Sequence, residues 1–369
     1  MKKILFLIHD LGQGGAEKVL VNLVNNMDSA KFDITVVTIF GGGVNEQFLK
    51  PPIKLRSVFK KAFPGNSKIM KLFTPKFLHR WFIKEHYDIE VSYLEGPSAR
   101  IISGCPSKDT KLVSWIHVQQ ETKERLSGSF KSFSEARSCY ERFDNTVCVS
   151  EFVKNDFSSI LSFNKPIEVL YNTVESDVIR ILSEEKDVNF TEDNKLRLIA
   201  VGTLKQSKGY VRLLNVIKKL DDENYPVHLY ILGIGPLKEE LEAIINKESM
   251  DSYVTLLGYD TNPYKYVAKS DVFVCASFAE GFSTAATESL IVGTPVVTVE
   301  VSGMKEMLGD NDEYGIVTEN NEDALYEGIK KMISTPGMLE DYAKRAEERG
   351  KYFSTENTVK AVERMFDSL

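Results

Sequence analysis

Short apolar runs alternate along the chain with segments of helical periodicity. The first half begins with KILFLI at residues 3–8 and FDITVVTIF at residues 32–40, and residues 16–27 between them place apolar side chains three and four apart. Continuous apolar runs are typical of parallel strands buried on both faces, whereas the three-and-four spacing is typical of a helix. Further strands are predicted at 88–94, 111–118, 145–150 and 167–172. The first half is therefore predicted to form a parallel sheet covered by helices.

The same alternation starts again after a polar, acidic segment at residues 176–195, which we interpret as a linker region. Residues 338–369 are predicted to be helical, with no further strand. Five more strands are predicted at 196–202, 227–233, 253–258, 271–277 and 295–300. The chain is thus predicted to be an α/β protein with two doubly wound domains. Because ligands bind beyond the carboxyl ends of such strands, two sheets facing one cleft favour an enzyme with two substrates.

Length and composition exclude several classes of protein. With 369 residues, 43% hydrophobic and 27% charged, the chain is neither disordered, nor collagen-like, nor a small disulfide scaffold. Asp10 interrupts the first apolar run, so we do not expect a signal peptide. The four cysteines, none in a C-x-x-C or Cys/His metal pattern, favour a cytoplasmic protein without structural disulfides; they are Cys105, Cys139, Cys148 and Cys275.

Charge is distributed unevenly between the two halves. Residues 1–174 carry 24 Lys and Arg against 18 Asp and Glu, a net charge of +6, whereas residues 175–369 carry 22 against 35, a net charge of −13. Residues 50–84 contain ten Lys and Arg, no acidic residue and many aromatic side chains. This segment is either a solvated pair of surface helices broken at Pro75 or an amphipathic element that meets an anionic membrane.

The segment AEGFSTAATESLIVGTPVV at residues 279–297 carries the strongest chemical pattern. A strand is predicted before it and a helix from about Ser283, so that backbone N–H groups of residues 281–283 would point from a helix N-terminus toward an anion. Glu280 precedes this helix and Glu288 lies within it. Carboxylates accept hydrogen bonds in pairs, which suits the vicinal hydroxyls of a sugar or ribose. Taken alone, two solvated glutamates would be an equally good explanation.

The spacing from Glu280 to Glu288, the Gly281-Phe282 pair and the Gly-Thr-Pro-Val-Val exit resemble the retaining, nucleotide-sugar-dependent glycosyltransferases of the GT-B fold, family 4. That family includes many bacterial enzymes of polysaccharide and glycoconjugate synthesis. The resemblance implies that Glu280 contacts hydroxyls of the donor sugar and that Glu288 binds the ribose. It also implies that the backbone amides of Gly281, Phe282 and Ser283 hold the diphosphate and sugar.

Two further loops extend this resemblance through the second half of the chain. VGTLKQSKGYVRLL at residues 201–214 resembles the family's loop with a diphosphate-binding lysine, which would here be Lys208. The family usually has arginine where this chain has Thr203, which puts the second cationic contact in doubt. Gly235 lies in a loop that the family uses near the nucleotide, although a plain tight turn explains it equally well.

In the first half, Gly14 and Gly15 follow the first strand and begin the first helix, where the family places a glycine pair beside the donor diphosphate. The spacing of Gly12, Gly14 and Gly15 is not that of a dinucleotide-binding fingerprint. His117 ends the predicted strand 111–118 and matches a family histidine near the donor sugar. Without the resemblance, a structural role for His117 would be the better explanation.

The resemblance implies an acceptor-binding domain at residues 1–174, a nucleotide-sugar-binding domain at 175–350 and a C-terminal helix at 351–369 that packs back on the first domain. It also implies metal-independent, retaining transfer of a hexose or N-acetylhexosamine, with Glu280, Lys208 and His117 as catalytic residues and no cofactor. We expect a UDP-sugar donor, a glycan or polyprenyl-linked acceptor, and a location in the cytoplasm or at the cytoplasmic face of a membrane.

Other partners and functions stay open at this point. We expect no nucleic-acid partner, whereas a second copy of the chain or a partner glycosyltransferase would be compatible with the sequence. The alternatives to a transferase are another GT-B enzyme, such as a nucleotide-sugar epimerase, and a non-catalytic subunit that binds sugar nucleotides. Intact Glu280, Lys208, Glu288 and His117 argue against the subunit, whereas Thr203 leaves that alternative open.

Overall fold

The computed structural model describes residues 1–12, 14–162, 165–192 and 194–369, and it divides the chain into two compact units. Unit 1 comprises Met1–Val174 and Thr355–Leu369, and unit 2 comprises Glu175–Ser354. The last helix therefore belongs to unit 1, where the Thr355 hydroxyl donates to the Val174 carbonyl at 2.8 Å and Phe366 packs edge-on against Phe6.

Unit 1 is a seven-stranded parallel sheet with strand order β3-β2-β1-β4-β5-β6-β7. Its strands are β1 (Lys2–Ile8), β2 (Phe32–Phe40), β3 (Lys54–Phe59), β4 (Ile89–Ser92), β5 (Lys111–Ile116), β6 (Asn145–Cys148) and β7 (Ile167–Val169). Its helices are α1 (Gly15–Asn26), α2 (Asn66–Leu72), α3 (Pro75–Phe82), α4 (Pro97–Ile102), α5 (Lys123–Leu126), α6 (Phe133–Tyr140), α7 (Glu151–Leu161) and α16 (Thr355–Ser368). The central strands are almost wholly buried, which explains their continuous apolar sequences.

Unit 2 is a six-stranded parallel sheet with strand order β10-β9-β8-β11-β12-β13. Its strands are β8 (Leu196–Val201), β9 (Val227–Leu232), β10 (Val254–Gly258), β11 (Val272–Cys275), β12 (Val296–Val299) and β13 (Ile316–Thr318). Its helices are α8 (Ser176–Ser183), α9 (Tyr210–Asp222), α10 (Lys238–Lys247), α11 (Tyr264–Val267), α12 (Thr284–Ile291), α13 (Met304–Leu308), α14 (Glu322–Ser334) and α15 (Met338–Tyr352). Both units are thus doubly wound parallel sheets, as the sequence predicts.

Three details differ from the sequence-based prediction. Strand β3 lies inside the basic segment at residues 50–84, where the sequence predicts no strand, and it pairs in parallel with β2. Strand β13 is only three residues long and was not predicted. Helix α8 occupies the first part of the predicted linker, because Ile179 is buried on one face of an amphipathic segment; Asp193 of that linker lies outside the described residues. The break at Pro75 is confirmed, since proline begins α3.

Candidate active site

The order of strands reverses between β8 and β11 in unit 2, where the two strands pair directly. Ligands of doubly wound sheets bind beyond the carboxyl ends of the strands at such a switch point. Lys208 lies in the loop that follows β8, and Glu280 lies in the loop that follows β11. The topology therefore brings these two sequence-predicted residues to the same edge of the sheet.

Lys208 and Glu280 form an ion pair at this edge. Lys208 Nζ donates to Glu280 Oε1 at 2.6 Å, and the Ser277 hydroxyl donates to the same oxygen at 2.6 Å. The side chains of Lys208 and Glu280 are only 23% and 11% exposed, so solvent screens the pair less than it would screen a surface pair. Within the described part of the chain, no hydrogen bond reaches Glu280 Oε2. That oxygen is an acceptor suited to a hydroxyl donor.

The two loops are also joined through their backbones. The Phe278 N–H donates to the Ser207 carbonyl at 2.8 Å. Gly209, the residue after Lys208, has a φ of +68°, and a Cβ there would lie 1.9 Å from the Ala276 carbonyl oxygen. Glycine is therefore required at 209 by its conformation and by the close approach of the second loop.

Arg212 holds the loop that leads to Glu280, and sequence reasoning did not identify it. Its guanidinium donates from Nε to the Ala276 carbonyl at 2.7 Å and from Nη2 to the Ser277 carbonyl at 2.8 Å, and it lies 4.2 Å from the centre of the Phe278 ring. Burial lowers the pKa of Arg212, but a guanidinium remains charged in proteins. The sequence shows only that an arginine lies near the start of α9. It does not reveal the contacts of that arginine, because the two carbonyl groups that it binds are 64 and 65 residues further along the chain.

Helix α12 begins where the sequence predicts. The Ser283 side chain is its N-cap and accepts from the Ala286 N–H at 3.3 Å. The Gly281 carbonyl accepts from the Ser302 hydroxyl at 2.9 Å, and the buried Phe282 ring packs 5.7 Å from that of Phe353. These contacts fix the turn whose backbone amides precede the helix.

Glu288 lies on α12 and is buried, with 8% of its surface exposed. The hydroxyl of Tyr264, on α11, donates to Glu288 Oε1 at 3.4 Å. A buried carboxylate needs polar partners, so this tyrosine contributes to keeping Glu288 inside the unit.

Thr203 and Gly235 lie in the loops after β8 and β9. Thr203 is exposed. At Gly235, a Cβ would lie 2.4 Å from the Leu204 carbonyl oxygen, so close packing of the two loops already requires glycine there. The contribution of Gly235 to donor binding stays a prediction.

In unit 1, Gly14 is the N-cap of α1 and Gly15 is its first residue. A Cβ on Gly14 would lie 2.0 Å from Glu17 Oε2, so the carboxylate of Glu17 covers this helix start. Burial raises the pKa of Glu17, and the neighbouring Asp10 raises it further. The sequence analysis did not single out this acid, which lies beside the predicted diphosphate-binding glycines.

His117 follows β5 at the carboxyl edge of the unit 1 sheet and is buried, with 6% exposed. Its backbone N–H donates to Glu95 Oε2 at 3.1 Å, and its ring packs 4.7 Å from that of Tyr93. Burial lowers the pKa of His117 to about 3, so the imidazole is neutral at physiological pH. Its Nε2 has no partner among the described residues. A buried nitrogen without a partner suits a ligand hydrogen bond.

Comparisons with known proteins decide the family. Residues 13–178 match the family described as Glycosyltransferase Family 4, and residues 183–349 match Glycosyl transferases group 1. The chain belongs to the family 4 glycosyltransferases of the GT-B fold. This confirms the resemblance drawn from Glu280, Glu288 and the residues around them.

The relatives and the solved structure described next match nearly the whole chain. An N-acetylgalactosamine-N,N'-diacetylbacillosaminyl-diphospho-undecaprenol 4-alpha-N-acetylgalactosaminyltransferase of Campylobacter jejuni is 29% identical, with 96% of each chain covered. A second Campylobacter jejuni protein, a GalNAc-alpha-(1->4)-GalNAc-alpha-(1->3)-diNAcBac-PP-undecaprenol alpha-1,4-N-acetyl-D-galactosaminyltransferase, is 26% identical, with 96% of this chain and 95% of the relative covered. The crystal structure of Anabaena HepE in complex with UDP has a TM-score of 0.77 at 17% identity, with both chains fully covered.

Proposed function

We propose that this glycosyltransferase moves a hexose or N-acetylhexosamine from a UDP-sugar to a lipid-linked glycan, with retention of anomeric configuration. The observation that carries the proposal is the Lys208–Glu280 ion pair at the β8/β11 switch point. The UDP in the HepE crystal structure supports the choice of nucleotide, and the undecaprenol-linked acceptors named for the two Campylobacter relatives support the choice of acceptor.

The proposed donor site uses groups of both charges. Glu280 accepts hydrogen bonds from hydroxyls of the sugar, and Glu288 accepts from the ribose. The backbone amides at the start of α12 face the diphosphate, which a helix N-terminus favours. Lys208 exchanges its contact with Glu280 for the diphosphate as negative charge develops there. This charge arrangement requires no metal ion in the transfer step.

The proposed chemistry takes place on one face of the sugar. The bond from the anomeric carbon to the phosphate oxygen breaks while a bond from the same carbon to the acceptor oxygen forms on that face. The departing phosphate oxygen takes the acceptor's proton, so no separate general base is required. The neutral imidazole of His117 offers a hydrogen-bonding nitrogen to a sugar hydroxyl, in keeping with its lowered pKa.

The acceptor proposal includes a membrane-facing surface on unit 1, which we call the α2–α3 surface. It consists of exposed apolar and basic side chains, namely Ile69, Leu72, Phe77 and Trp81 with Lys76, Arg80 and Lys84. Opposite this surface, α3 buries Leu78 and Phe82. Aromatic side chains favour the headgroup region of a bilayer and basic ones favour anionic lipid. No helix in the described ranges is long and apolar enough to cross a bilayer.

The decisive experiment measures the hydrolysis and transfer of UDP-, GDP- and ADP-sugars by the purified protein. The acceptor panel contains undecaprenyl-diphosphate-linked glycans and the same glycans without lipid, and NMR identifies the anomer formed. We expect turnover with a UDP-sugar, an α-linked product from an α-linked donor, and a preference for the lipid-linked acceptor. Donor binding without turnover on any acceptor would favour the non-catalytic subunit, and isomerised donor would favour an epimerase.

A further inference from the structure

Three side chains of the types that bind metals converge within unit 1. They come from separate elements, since His79 lies on α3, Glu90 lies on β4 and Cys105 follows α4. All three are buried, with 6%, 2% and 2% of their surfaces exposed. His79 Nε2 lies 2.7 Å from Glu90 Oε2, and Cys105 Sγ lies 3.8 Å from Glu90 Oε1. One ligand atom from each residue falls within 4.8 Å of the others.

This cluster is separate from the carboxyl edge of the same sheet. Glu90 is the second residue of β4 and pairs with Leu5 and Leu112, near the amino ends of the strands. Glu95 and His117, in contrast, follow the carboxyl ends of β4 and β5. The proposed transfer chemistry therefore gives no role to His79, Glu90 and Cys105.

An ion could reach the cluster from solvent. His79, Glu90 and Cys105 all line one open pocket of about 470 Å³, whose lining also includes the charged side chains of Lys76, Arg80, Lys84 and Glu85. The three cations outnumber the one additional acid, so the lining repels a divalent cation. Direct coordination by a carboxylate and a thiolate must offset this repulsion.

We propose that His79, Glu90 and Cys105 form a binding site for one zinc ion, whose fourth ligand is a water molecule from the pocket. Imidazole nitrogen, carboxylate oxygen and thiolate sulfur are the usual ligands of zinc, which binds four of them in a tetrahedral arrangement. Magnesium and calcium instead prefer ligand sets made entirely of oxygen. The sequence shows no metal pattern because the three ligands lie 11 and 15 residues apart on different elements.

Charge balance also favours zinc at this depth. A zinc ion bound by one carboxylate and one thiolate forms a group without net charge, so binding leaves no buried net charge. Because a thiol must lose its proton to coordinate the ion, zinc binding releases protons to solvent.

The simpler explanation is a structural His79–Glu90 ion pair with a thiol beside it, and metal titration separates the two explanations. The full-length protein, stripped with a chelator, is titrated with Zn²⁺ alone while bound metal and thermal unfolding are measured. It is then titrated with Co²⁺, whose absorption reports thiolate coordination directly. The Cys105→Ser variant removes the proposed sulfur ligand, and Cys139→Ser removes another buried cysteine of unit 1 as the matched control.

We expect one zinc ion per chain, an unfolding temperature raised by roughly 5 °C at saturating zinc, and a thiolate-to-cobalt charge-transfer band. The band should disappear in Cys105→Ser and persist in Cys139→Ser. The proposal is overturned if the wild-type protein binds cobalt without a thiolate band, or if Cys105→Ser retains the same metal content. The cobalt spectrum of the wild-type protein decides the matter even if a variant fails to fold. Because every readout is independent of sugar transfer, failure here leaves the proposed function untouched.

Discussion

Lys208 Nζ lies 2.6 Å from Glu280 Oε1. The charge of Lys208, which we propose contacts the diphosphate, is therefore balanced by Glu280, which we propose binds the sugar. The pair prevents either charge from being buried alone while the donor is absent. In the proposed site, donor binding must then separate the pair, because Lys208 turns to the diphosphate and Glu280 to the sugar of the same donor. This relationship makes separate tests of the two residues possible.

Replacing Lys208 with methionine should reduce kcat/KM for transfer by at least about 100-fold, because a cation is lost where negative charge develops on the leaving diphosphate. Glu280→Gln should have a similar effect through its contact with the sugar. The double variant distinguishes two roles of the lysine. If Lys208 served only to neutralise Glu280, the double variant would be no worse than Glu280→Gln. We expect it to be further impaired, and Lys218→Met, at an exposed ion pair on α9, to retain activity.

Arg212 should act as a positioning residue for the loop that ends at Glu280. Arg212→Lys keeps the charge but loses the simultaneous contacts with the Ala276 and Ser277 carbonyls, at a cost of about 2 kcal/mol of stability. Because the displaced loop carries Glu280, which we propose contacts the donor sugar, KM for the donor should rise more than kcat falls. Steady-state kinetics and thermal unfolding measure the two effects. A stability loss with unchanged KM would show that Arg212 supports the fold alone.

Thr203→Arg should tighten donor binding. The family's usual arginine at this position would add a second cation beside the diphosphate, and threonine 203 is exposed, so the larger side chain meets no packed core. We expect the Kd for UDP to fall by roughly tenfold, as measured by calorimetry. Thr203→Gln adds a long side chain without a charge and serves as the control. Equal effects of the two variants would count against a charge contribution.

The sequence allowed the two parallel sheets to be predicted because buried parallel strands have continuous apolar sequences, as KILFLI in β1 shows. Strand β3 was not predicted because it lacks a continuous apolar sequence. It is an edge strand, and its residues KLRSVF are at least partly exposed and include two cations. Strand β13 was not predicted because three residues are too few to form a recognisable apolar run. Periodicity is informative only where both faces of a strand are covered.

Sequence analysis could predict those residues of the candidate site that lie within a recognisable local motif. Lys208 and Glu280 stood in recognisable loops, and the fold explains why those loops meet. Arg212 and Glu95 could not be identified, because their contacts join residues distant in sequence. The cluster of His79, Glu90 and Cys105 was missed for the same reason, since no spacing along the chain records it.

Burial of neutral His117 should make stability fall in mild acid. The pKa of this histidine is about 3 in the folded chain, against an ordinary value of 6.5. Between these values the unfolded chain binds one proton more than the folded chain, so the free energy of unfolding decreases as pH falls, by about 1.4 kcal/mol per pH unit. Above pH 6.5 the group contributes no slope.

Denaturant unfolding of the wild-type protein and His117→Gln, at pH values from about 5 to 8, isolates this effect. The raised pKa of the neighbouring Glu95 acts in the opposite direction, because the folded chain then holds the extra proton. The comparison with His117→Gln removes that contribution, since both proteins retain Glu95. The variant should show a flatter dependence below pH 6.5. Parallel curves would mean that His117 is protonated in the folded state.

The α2–α3 surface should bind vesicles that contain anionic lipid. Phe77 and Trp81 lie one helical turn apart on α3 and are 50% and 41% exposed, so both rings can enter a headgroup layer without unfolding the helix. Co-sedimentation with phosphatidylglycerol vesicles should fall at least about fivefold in Lys84→Glu, since each basic residue near the surface contributes about 1 kcal/mol. It should also fall in Trp81→Ala, which removes an aromatic ring from the headgroup region. Lys247→Glu, at an exposed position in unit 2, is the matched charge control. Equal binding to neutral and anionic vesicles, or equal losses in the control, would disprove docking by this surface.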